Sequence, residues 1–275
     1  MADPELSTMS EYGVLGVRDV DFTLDRVPPA PPLATLVEHF WRVTWDVPAG
    51  RSADVVLLPN PSVNVVLDQG RLTVYGVTHD RFTYTYRGRG RVFGIKFRPG
   101  GFLPFLGAPI ADLFGRALPA ERLWGPDAAE LAVALDAEPA LDGLVALAEA
   151  FLAARWPAPD PQVELVQRIV RSLLVDREVT RVEEVAERFG IPMRSLQRLF
   201  ARYVGVSPKW VLRRYRLHEA AARLAEDHDR PWAEVAAELG YFDQSHFIRD
   251  FTRAIGLTPV AYAQACRRKV APMSA

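Results

Sequence analysis

The feature that most constrains this chain is a segment that it uses twice. The stretch VEEVAERFGIPMRSLQRLFARYVGVSP is followed further along by WAEVAAELGYFDQSHFIRDFTRAIGLTP. The two copies are in register at an offset of 50 residues, which becomes 51 after one extra residue in the second copy. The identical pairs include Gly190 and Gly240, Arg198 and Arg249, Phe200 and Phe251, and Gly205 and Gly256. This register indicates a repeated supersecondary unit.

Each copy predicts two short helices separated by a tight turn. The stretch VEEVAERFG is amphipathic and ends at Gly190, which fits a left-handed C-cap. In the helix that follows, Leu196, Phe200 and Tyr203 share a buried face at helical spacing. Asp243 is well placed as the N-cap of the corresponding helix in the second copy. A short helix, a glycine turn and a second helix with a polar, basic outer face describe a helix-turn-helix.

The outward faces of the two second helices carry side chains that can read DNA. Arginine can bridge O6 and N7 of guanine, glutamine can pair with adenine, and serine and histidine are adaptable donors and acceptors. One such face alone is as consistent with solvation, whereas two in register favour DNA recognition. The predicted DNA-binding residues are Arg194, Ser195, Gln197, Arg198 and Arg202 in the first copy, and Gln244, Ser245, His246, Arg249 and Arg253 in the second.

The segment between the copies predicts one long helix over residues 207–225, with Ser207 as N-cap and Pro208 at the first helical position. At 1.5 Å per residue it would be about 28 Å long. A rigid connector of that length could hold the two recognition helices in successive major grooves, which are about 34 Å apart. Its outward arginines are either phosphate contacts or solvated groups: Arg213, Arg214 and Arg216.

The N-terminal part has a different pattern, with short β-branched and aromatic runs such as SVNVVLD, RLTVYG and RFTYTYRG between Pro, Asn and Gly turns. From about residue 121 alanine- and leucine-rich helical patterns follow, and WPAPDP then breaks the chain. The sequence therefore predicts an α+β protein. We expect a β-rich, barrel-like sensor domain with following helices over 1–156, a linker at 157–161, and an all-α domain over 162–270 with two helix-turn-helix units joined by a long helix.

Aromatic side chains of the β-rich part could line a pocket for a small, largely apolar or aromatic effector. The candidates for such ligand binding are Trp41, Tyr84 and Phe93. The same residues would serve equally well as plain barrel core, so both interpretations stay open.

Composition excludes several classes of protein. Among 275 residues no apolar run reaches the roughly 18 that a membrane span needs, and the acidic, polar start is unlike a signal peptide. We therefore expect a cytoplasmic protein without a membrane partner. From residue 160 onward there are 19 Lys and Arg against 15 Asp and Glu, whereas the preceding part has 14 against 19. A basic C-terminal part is consistent with an anionic partner or with chance asymmetry.

No pattern in the sequence predicts an enzyme, a metal site or a cofactor. The five histidines are not at metal-ligand spacing within a strand, and no phosphate-binding glycine loop or nucleophile elbow is present. A DNA-repair alkyl-transfer protein needs activated cysteines in its N-terminal part, but residues 1–265 contain none. The one cysteine, Cys266, is either a packing residue or a redox sensor. We predict no catalytic residues.

The region from about residue 162 to 268 closely resembles the DNA-binding domain of AraC/XylS-type transcriptional regulators. GYFDQSHFIRDFTRAIGLTP is the most specific part, and LQRLFARYVGVSP matches the family's first recognition helix. The resemblance implies two helix-turn-helix units that each insert one helix into the major groove. It places base contacts at Arg194, Gln197 and Arg198, and at Gln244, Ser245, His246 and Arg249.

The N-terminal stretches HFWRVTWDVP, LLPNPSVNVVLD and FGIKFRPGGFLPFLG resemble a sensor-like domain that precedes this DNA-binding domain in many actinobacterial-type regulators. We therefore expect a transcription factor, such as an activator, whose partners are double-stranded DNA and a small-molecule effector. RNA polymerase and a second copy of the chain are further candidate partners. The alternative is a constitutive DNA-binding regulator whose N-terminal domain serves in dimerisation or protein docking.

Overall fold

A computed structural model describes residues 14–16, 22–176, 179–227, 229–241 and 243–270, with side chains from 22 to 267 within these ranges. Residues 1–13 and 17–21 of the predicted N-terminal domain thus lie outside the described residues. The strands are β1 (Val14–Gly16), β2 (Phe22–Val27), β3 (Val37–Asp46), β4 (Ala53–Leu57), β5 (Asn64–Asp68), β6 (Arg71–Tyr75), β7 (Phe82–Tyr86), β8 (Arg89–Phe97) and β9 (Ala117–Pro119).

Helices dominate the second half of the chain. They are α1 (Leu103–Leu106), α2 (Glu121–Trp124), α3 (Pro126–Ala137), α4 (Leu141–Ala153), α5 (Pro161–Val175), α6 (Val182–Arg188), α7 (Met193–Tyr203), α8 (Pro208–Glu226), α9 (Trp232–Glu238), α10 (Gln244–Ile255) and α11 (Pro259–Val270). Short 3-10 helices lie at Leu33–Thr35 and Ile110–Leu113. None of the helices in the described part of the chain has the length and apolar character needed to cross a lipid bilayer.

The strands form two antiparallel sheets. The larger sheet has the order β2-β3-β8-β5-β6-β9, and the smaller has the order β1-β4-β7. The two sheets face each other across an aromatic cluster that includes Trp45 from the larger sheet and Tyr86 from the smaller, whose rings stack at 4.6 Å. The α+β class is confirmed, but the strands of the described residues do not close into a barrel. Strands β4 and β7 pair with each other and pack on the larger sheet without joining its hydrogen-bond ladder.

Both faces of the larger sheet are covered. Along β8, Phe93, Ile95 and Phe97 point to one face, where they join the main hydrophobic core with the helices. The alternate residues point to the other face, where Gly94 and Gly90 lie beneath the indole rings of two tryptophans on β3. A Cβ at Gly94 would come within 2.2 Å of Trp41, so glycine is needed for this close approach.

The main core continues from the N-terminal sheet into the first helix-turn-helix unit. One cluster of buried side chains includes Phe97 of β8, Val166 of α5 and Phe200 of α7. Turn residue Gly205 lies against Ile110 of the N-terminal part, where an added Cβ would be 2.9 Å from the isoleucine side chain. The predicted boundaries at 156, 157–161 and 162 stay a prediction, since this cluster crosses them without interruption.

The second helix-turn-helix unit has a core of its own. Phe247 and Phe251 of α10, both 0% exposed, pack with Val235 of α9 and the C-terminal half of α8. Helix α8 is shared between the two cores. Its first half, including Tyr215, belongs to the main core, and its second half, including Leu224, belongs to the second. The predicted long helix is therefore confirmed, and it connects two separate cores.

Candidate DNA-binding surface and effector cavity

The repeat is visible in the backbone of the two units. Gly190 and Gly240 have φ of +62° and +73° after the first helix of each unit, and Gly205 and Gly256 both have φ of +86° after the second. These left-handed conformations suit glycine, which lacks a Cβ. The extra residue of the second copy lies in the turn, because α7 begins at Met193 and α10 begins 51 positions later. The two recognition helices thus start at equivalent positions and end within one residue of each other.

Side-chain caps support the helices that carry the predicted surface. Asp243 accepts a hydrogen bond from the backbone N–H of Ser245 at 2.8 Å, as its N-cap prediction requires. Ser207 accepts from the backbone N–H of Trp210 at 3.2 Å and begins α8. Both caps satisfy an N–H group that has no partner within its own helix.

The ten predicted DNA-binding residues fall into two groups of five, one on α7 and one on α10. Ser195 is half-buried, and the other nine are exposed: Arg194, Gln197, Arg198 and Arg202 on α7, and Gln244, Ser245, His246, Arg249 and Arg253 on α10. Their buried counterparts on the same helices, such as Leu196 and Phe247, form the cores. Each recognition helix therefore presents a polar, basic face to solvent.

Local contacts partly order the long side chains on these faces. Nη2 of Arg198 donates to the Ser195 hydroxyl at 3.4 Å. Nε of Arg249 donates to the carbonyl oxygen of Ser245 at 3.3 Å, and its guanidinium lies 4.0 Å from the Asp243 carboxylate. These contacts are exposed and weak, so both arginines can exchange them for base edges or phosphates.

A buried carboxylate holds the second recognition helix to the linker helix. Asp250 on α10 is 4% exposed and pairs with the guanidinium of Arg213 on α8. Its Oδ2 lies 3.2 Å from Nε2 of His246, one turn earlier. Tyr241 packs edge-on against His246, and burial, with the nearby Asp250 carboxylate, raises the pKa of Tyr241 to about 12. No sequence signal pointed to Asp250, because the repeat places Leu199 at the matching position of α7.

The three outward arginines of the linker helix each contact a different part of the molecule. Arg213 binds Asp250 in the second unit. Arg216 donates to the carbonyl oxygens of Val179 and Thr180, just before the first unit, at 3.2 and 2.8 Å. Arg214 donates to the carbonyl oxygen of a residue in the N-terminal part. For Arg214, which is buried, the prediction of a phosphate contact or a solvated group is wrong. Arg213 and Arg216 are half-exposed, so a phosphate contact by either stays a prediction.

The contact made by Arg214 joins the linker helix to the loop between β6 and β7. Arg214 is 4% exposed and donates to the carbonyl oxygen of His79 at 2.9 Å. Its guanidinium lies 4.6 Å from the ring of Trp210, on which the His79 ring stacks at 5.3 Å. Burial, with a smaller effect of neighbouring Arg213, lowers the pKa of Arg214 to about 10. This stack fixes the loop against the start of α8.

Two further residues of the N-terminal part reach the second unit. Leu58, 1% exposed, belongs to the second core together with α8, α9 and α10. Nη1 of Arg81 donates at 3.2 Å to the carbonyl oxygen of Ile255, at the C-terminal end of α10. A cation at this end of a helix is favourable because the last carbonyl groups carry partial negative charge. Leu58 and Arg81 therefore dock the second unit on the N-terminal part.

A cavity of about 280 Å³ lies between the two sheets. Trp41, Val43 and Val66 of the larger sheet line one wall, and Leu57 and Tyr84 of the smaller sheet line the other. The walls are mostly apolar and aromatic, as expected of a small-molecule site. The predicted pocket residues Trp41 and Tyr84 are thus brought together.

Phe93 does not reach this cavity. Its side chain is 2% exposed and stacks at 6.2 Å on Phe40 in the main core, on the opposite face of the larger sheet. Neighbouring Val92 lines the cavity instead. Successive side chains of a strand point to opposite faces of the sheet. Val92 therefore faces the cavity, and Phe93, the next residue along β8, faces the main core.

Polar groups lie at both ends of the cavity. At one end the Tyr84 hydroxyl donates to Asp68 at 2.9 Å, and burial, with this bond, raises the pKa of Tyr84. At the other end His39, Lys96 and Asn64 form a row across three neighbouring strands. Burial, with a smaller effect of Lys96, lowers the pKa of His39 to about 4, so this imidazole is neutral at pH 7.

Cys266 on α11 is half-buried and packs against the second core. Its side chain contacts the phenol of Tyr262. Burial, with this contact, raises the pKa of Tyr262.

Two protein families match parts of the chain. Residues 25–119 match a domain of unknown function (DUF6597), and residues 185–265 match a helix-turn-helix domain. In three dimensions, ToxT from Vibrio cholerae O395 bound to (E)-4-(8-methylnaphthalen-1-yl)but-3-enoic acid overlaps 90% of this chain and 100% of its own at 11% identity. The TM-score of 0.41 is too low to establish a common fold.

Curated relatives match slightly less than a third of the chain. The transcriptional activator RhaS of Pectobacterium carotovorum is 35% identical over 75 residues, which are 27% of this chain and 26% of RhaS. The transcriptional regulator Rv1931c of Mycobacterium tuberculosis is 33% identical over 85 residues, 31% of this chain and 32% of the relative. The match therefore spans about a quarter to a third of each relative. The chain therefore carries a helix-turn-helix domain of the AraC type, and its relatives with this similarity are transcriptional regulators.

Proposed function

We propose that this protein is a sequence-specific transcriptional regulator whose binding to DNA responds to a small molecule held in the cavity between the sheets. Helices α7 and α10 would each enter a major groove, and the ten exposed or half-buried residues named above would make the contacts. The proposal includes no catalytic step. Double-stranded DNA is the first partner, and the protein would act in the cytoplasm. Contacts with RNA polymerase and with a second copy of the chain belong to the same proposal.

One observation carries the proposal of a ligand response. The loops that line the cavity also contact the DNA-binding domain. Leu58 lines the cavity and packs in the second core. Thr78 and Phe82 line the cavity, and they flank Arg81, which bonds to the end of α10. A ligand that prefers one arrangement of these loops would therefore shift how the second unit is held.

The DNA-binding part is tested with duplexes selected by the full-length protein from a random-sequence pool. Arg198→Ala and Arg249→Ala should each weaken binding to the selected duplex by about 1–3 kcal/mol, because each removes a groove-facing guanidinium without disturbing a core. Arg122→Ala is the matched control, since Arg122 is exposed on α2, away from both units.

Selected duplexes that both recognition-helix variants bind with wild-type affinity would contradict the assignment of α7 and α10 to the groove. A drop with Arg198→Ala alone would assign specificity to the first unit. Circular dichroism and thermal unfolding of each variant separate lost contacts from lost structure.

The alternative function is a constitutive DNA-binding regulator whose N-terminal domain serves in dimerisation or protein docking. It is separated from the first by thermal-shift screening of metabolites followed by duplex binding with each hit. A ligand-responsive regulator should yield a compound that changes DNA affinity, and Tyr84→Ala should abolish its effect, because Tyr84 lines the cavity. If every hit is indifferent to Tyr84→Ala, the N-terminal domain is better described as a docking module.

A further inference from the structure

The end of the cavity near Asn64, called the polar end below, contains buried polar atoms without hydrogen-bond partners among the described residues. Ser62 is 5% exposed and lines the cavity, and its hydroxyl has no hydrogen-bond partner among the described residues. Asn60, two positions earlier, also lines the cavity, and its buried Oδ1 likewise has no hydrogen-bond partner among the described residues. Buried polar atoms are nearly always satisfied, by protein, by water or by a ligand. Two such atoms, both near the Asn64 end of a mostly apolar cavity, indicate where a ligand places its polar group.

The surrounding turn is built to hold these atoms in place. Prolines 59 and 61 restrict the backbone on both sides of Asn60. The backbone N–H of Ser62 donates to the carbonyl oxygen of Asn60 at 2.8 Å. Asn64 donates to the carbonyl oxygen of Ser62 and accepts from the indole N–H of Trp41, both at 3.4 Å. The polar end is therefore ordered before any ligand enters.

The charges around the cavity are already balanced. Lys96, 6% exposed, pairs with Glu38 at 3.0 Å, and the Glu38 side chain is 3% exposed. Asp68 accepts the Tyr84 hydroxyl. Arg26, at the rim, is exposed. An anionic ligand at Lys96 would have to compete with Glu38 for the same ammonium group and lose its own water in a mostly apolar cavity, which is unfavourable.

We propose that the cavity binds an uncharged aromatic molecule with a hydroxyl group, a small phenol, whose hydroxyl bonds to Asn60 and Ser62 while its ring lies between Trp41 and Tyr84. A hydroxyl both donates and accepts, so it satisfies Asn60 in either orientation of the amide as well as the serine hydroxyl. The volume of about 280 Å³ suits a one-ring compound with a short alkyl tail. This inference rests on the proposed ligand response and names its chemical class.

Isothermal titration calorimetry of the full-length protein tests the class with three matched probes: 4-propylphenol, propylbenzene and 4-propylbenzoate. The phenol should bind about three- to tenfold tighter than the hydrocarbon, which is the usual worth of one net hydrogen bond. The carboxylate should bind most weakly. Ser62→Ala should remove the preference for the phenol and leave the affinity for propylbenzene unchanged. Ser52→Ala is the matched control, because Ser52 is exposed and outside the cavity.

Several outcomes would overturn the inference. Tightest binding of 4-propylbenzoate would make the cavity an anion site at Lys96. A phenol preference that survives Ser62→Ala would place the hydroxyl elsewhere. If the folded protein binds its selected duplex but none of the three probes, the ligand class is wrong and the DNA-binding function stands. If no duplex is selected while the phenol binds, the proposed function fails and the cavity assignment stands.

Discussion

The two helix-turn-helix units have nearly the same backbone, but they are attached to the rest of the molecule in different ways. The first unit has no core of its own, since Phe200 packs in the same cluster as Phe97 of the N-terminal sheet. The second unit packs around Phe251 in a separate cluster, to which the N-terminal part contributes Leu58. Repeated sequence therefore gives repeated local structure without giving equal contact with the N-terminal part.

This difference indicates which unit can move. Shifting the first unit would expose the main core, whereas shifting the second would break the Leu58 contact, the bond from Arg81 to Ile255 and the packing along α8. Elements held by few buried contacts open at lower free energy than the global core. A ligand in the cavity would thus act chiefly on the position of the second unit, while the first unit would stay packed against the N-terminal sheet.

Core truncation gives the largest expected effect. Phe200→Ala and Phe251→Ala each remove a fully buried ring and should destabilise their clusters by about 3–5 kcal/mol. Phe200→Ala should loosen α7 and the N-terminal sheet together, because both use that cluster. Phe251→Ala should loosen α9, α10, α11 and the C-terminal half of α8, and should leave α7 and the N-terminal sheet protected. Hydrogen exchange resolved by peptide distinguishes the patterns, and loss of protection throughout the chain in Phe251→Ala would contradict separate cores.

Acid should affect the sensor through His39. Its folded-state pKa of about 4 lies below the ordinary value of 6.5, so between these pH values the unfolded chain binds a proton that the folded chain does not. Stability from this source is present above pH 6.5 and is lost as the pH falls to 4, by up to about 3 kcal/mol. The imidazole is faced by Glu38, Lys96, Arg26 and Arg98, of which the glutamate opposes the shift.

His39→Gln should therefore show a shallower decline of stability between pH 6.5 and pH 4.5 than the wild type, measured by urea unfolding. The protection of α10 against hydrogen exchange should change with pH in the same way in both proteins, because His39 lies in the N-terminal sheet. Identical pH slopes in the two proteins would show that His39 is solvated or compensated in the folded state.

The sequence predicted the second unit almost as fully as the first, because each helix of one copy could be aligned with its counterpart in the other copy. The caps at Ser207 and Asp243 and the left-handed Gly190 follow from local chemistry, and the structure has all three. The contact partners of long side chains could not be predicted from the sequence. Nothing in helical periodicity indicates that Arg214 reaches His79, since that contact depends on how separate elements dock.

The cavity was predictable only in part, for a geometric reason. Alternation along β8 gives two sets of residues, but both faces of the larger sheet are buried, so hydrophobicity cannot say which set lines a cavity. Phe93 was therefore assigned to the wrong face. The smaller sheet has a partly solvated outer face, and Tyr84 on its inner face lines the cavity, while its role in ligand binding stays a prediction.

The smallest expected effect tests the docking of the second unit directly. Arg81→Ala removes the charged donor at the end of α10 and should destabilise the docked position by about 1 kcal/mol, or roughly fivefold in the opening equilibrium. Hydrogen exchange should then be faster in α10 and α11 and unchanged in α7. Arg51→Ala, an exposed arginine in another loop, controls for loss of charge. If Arg81→Ala changes α7 and α10 equally, the two units respond as one body and the inferred difference in mobility is wrong. If it changes neither while Leu58→Ala frees α10, the apolar contact alone docks the second unit, and the route from cavity to DNA runs through Leu58.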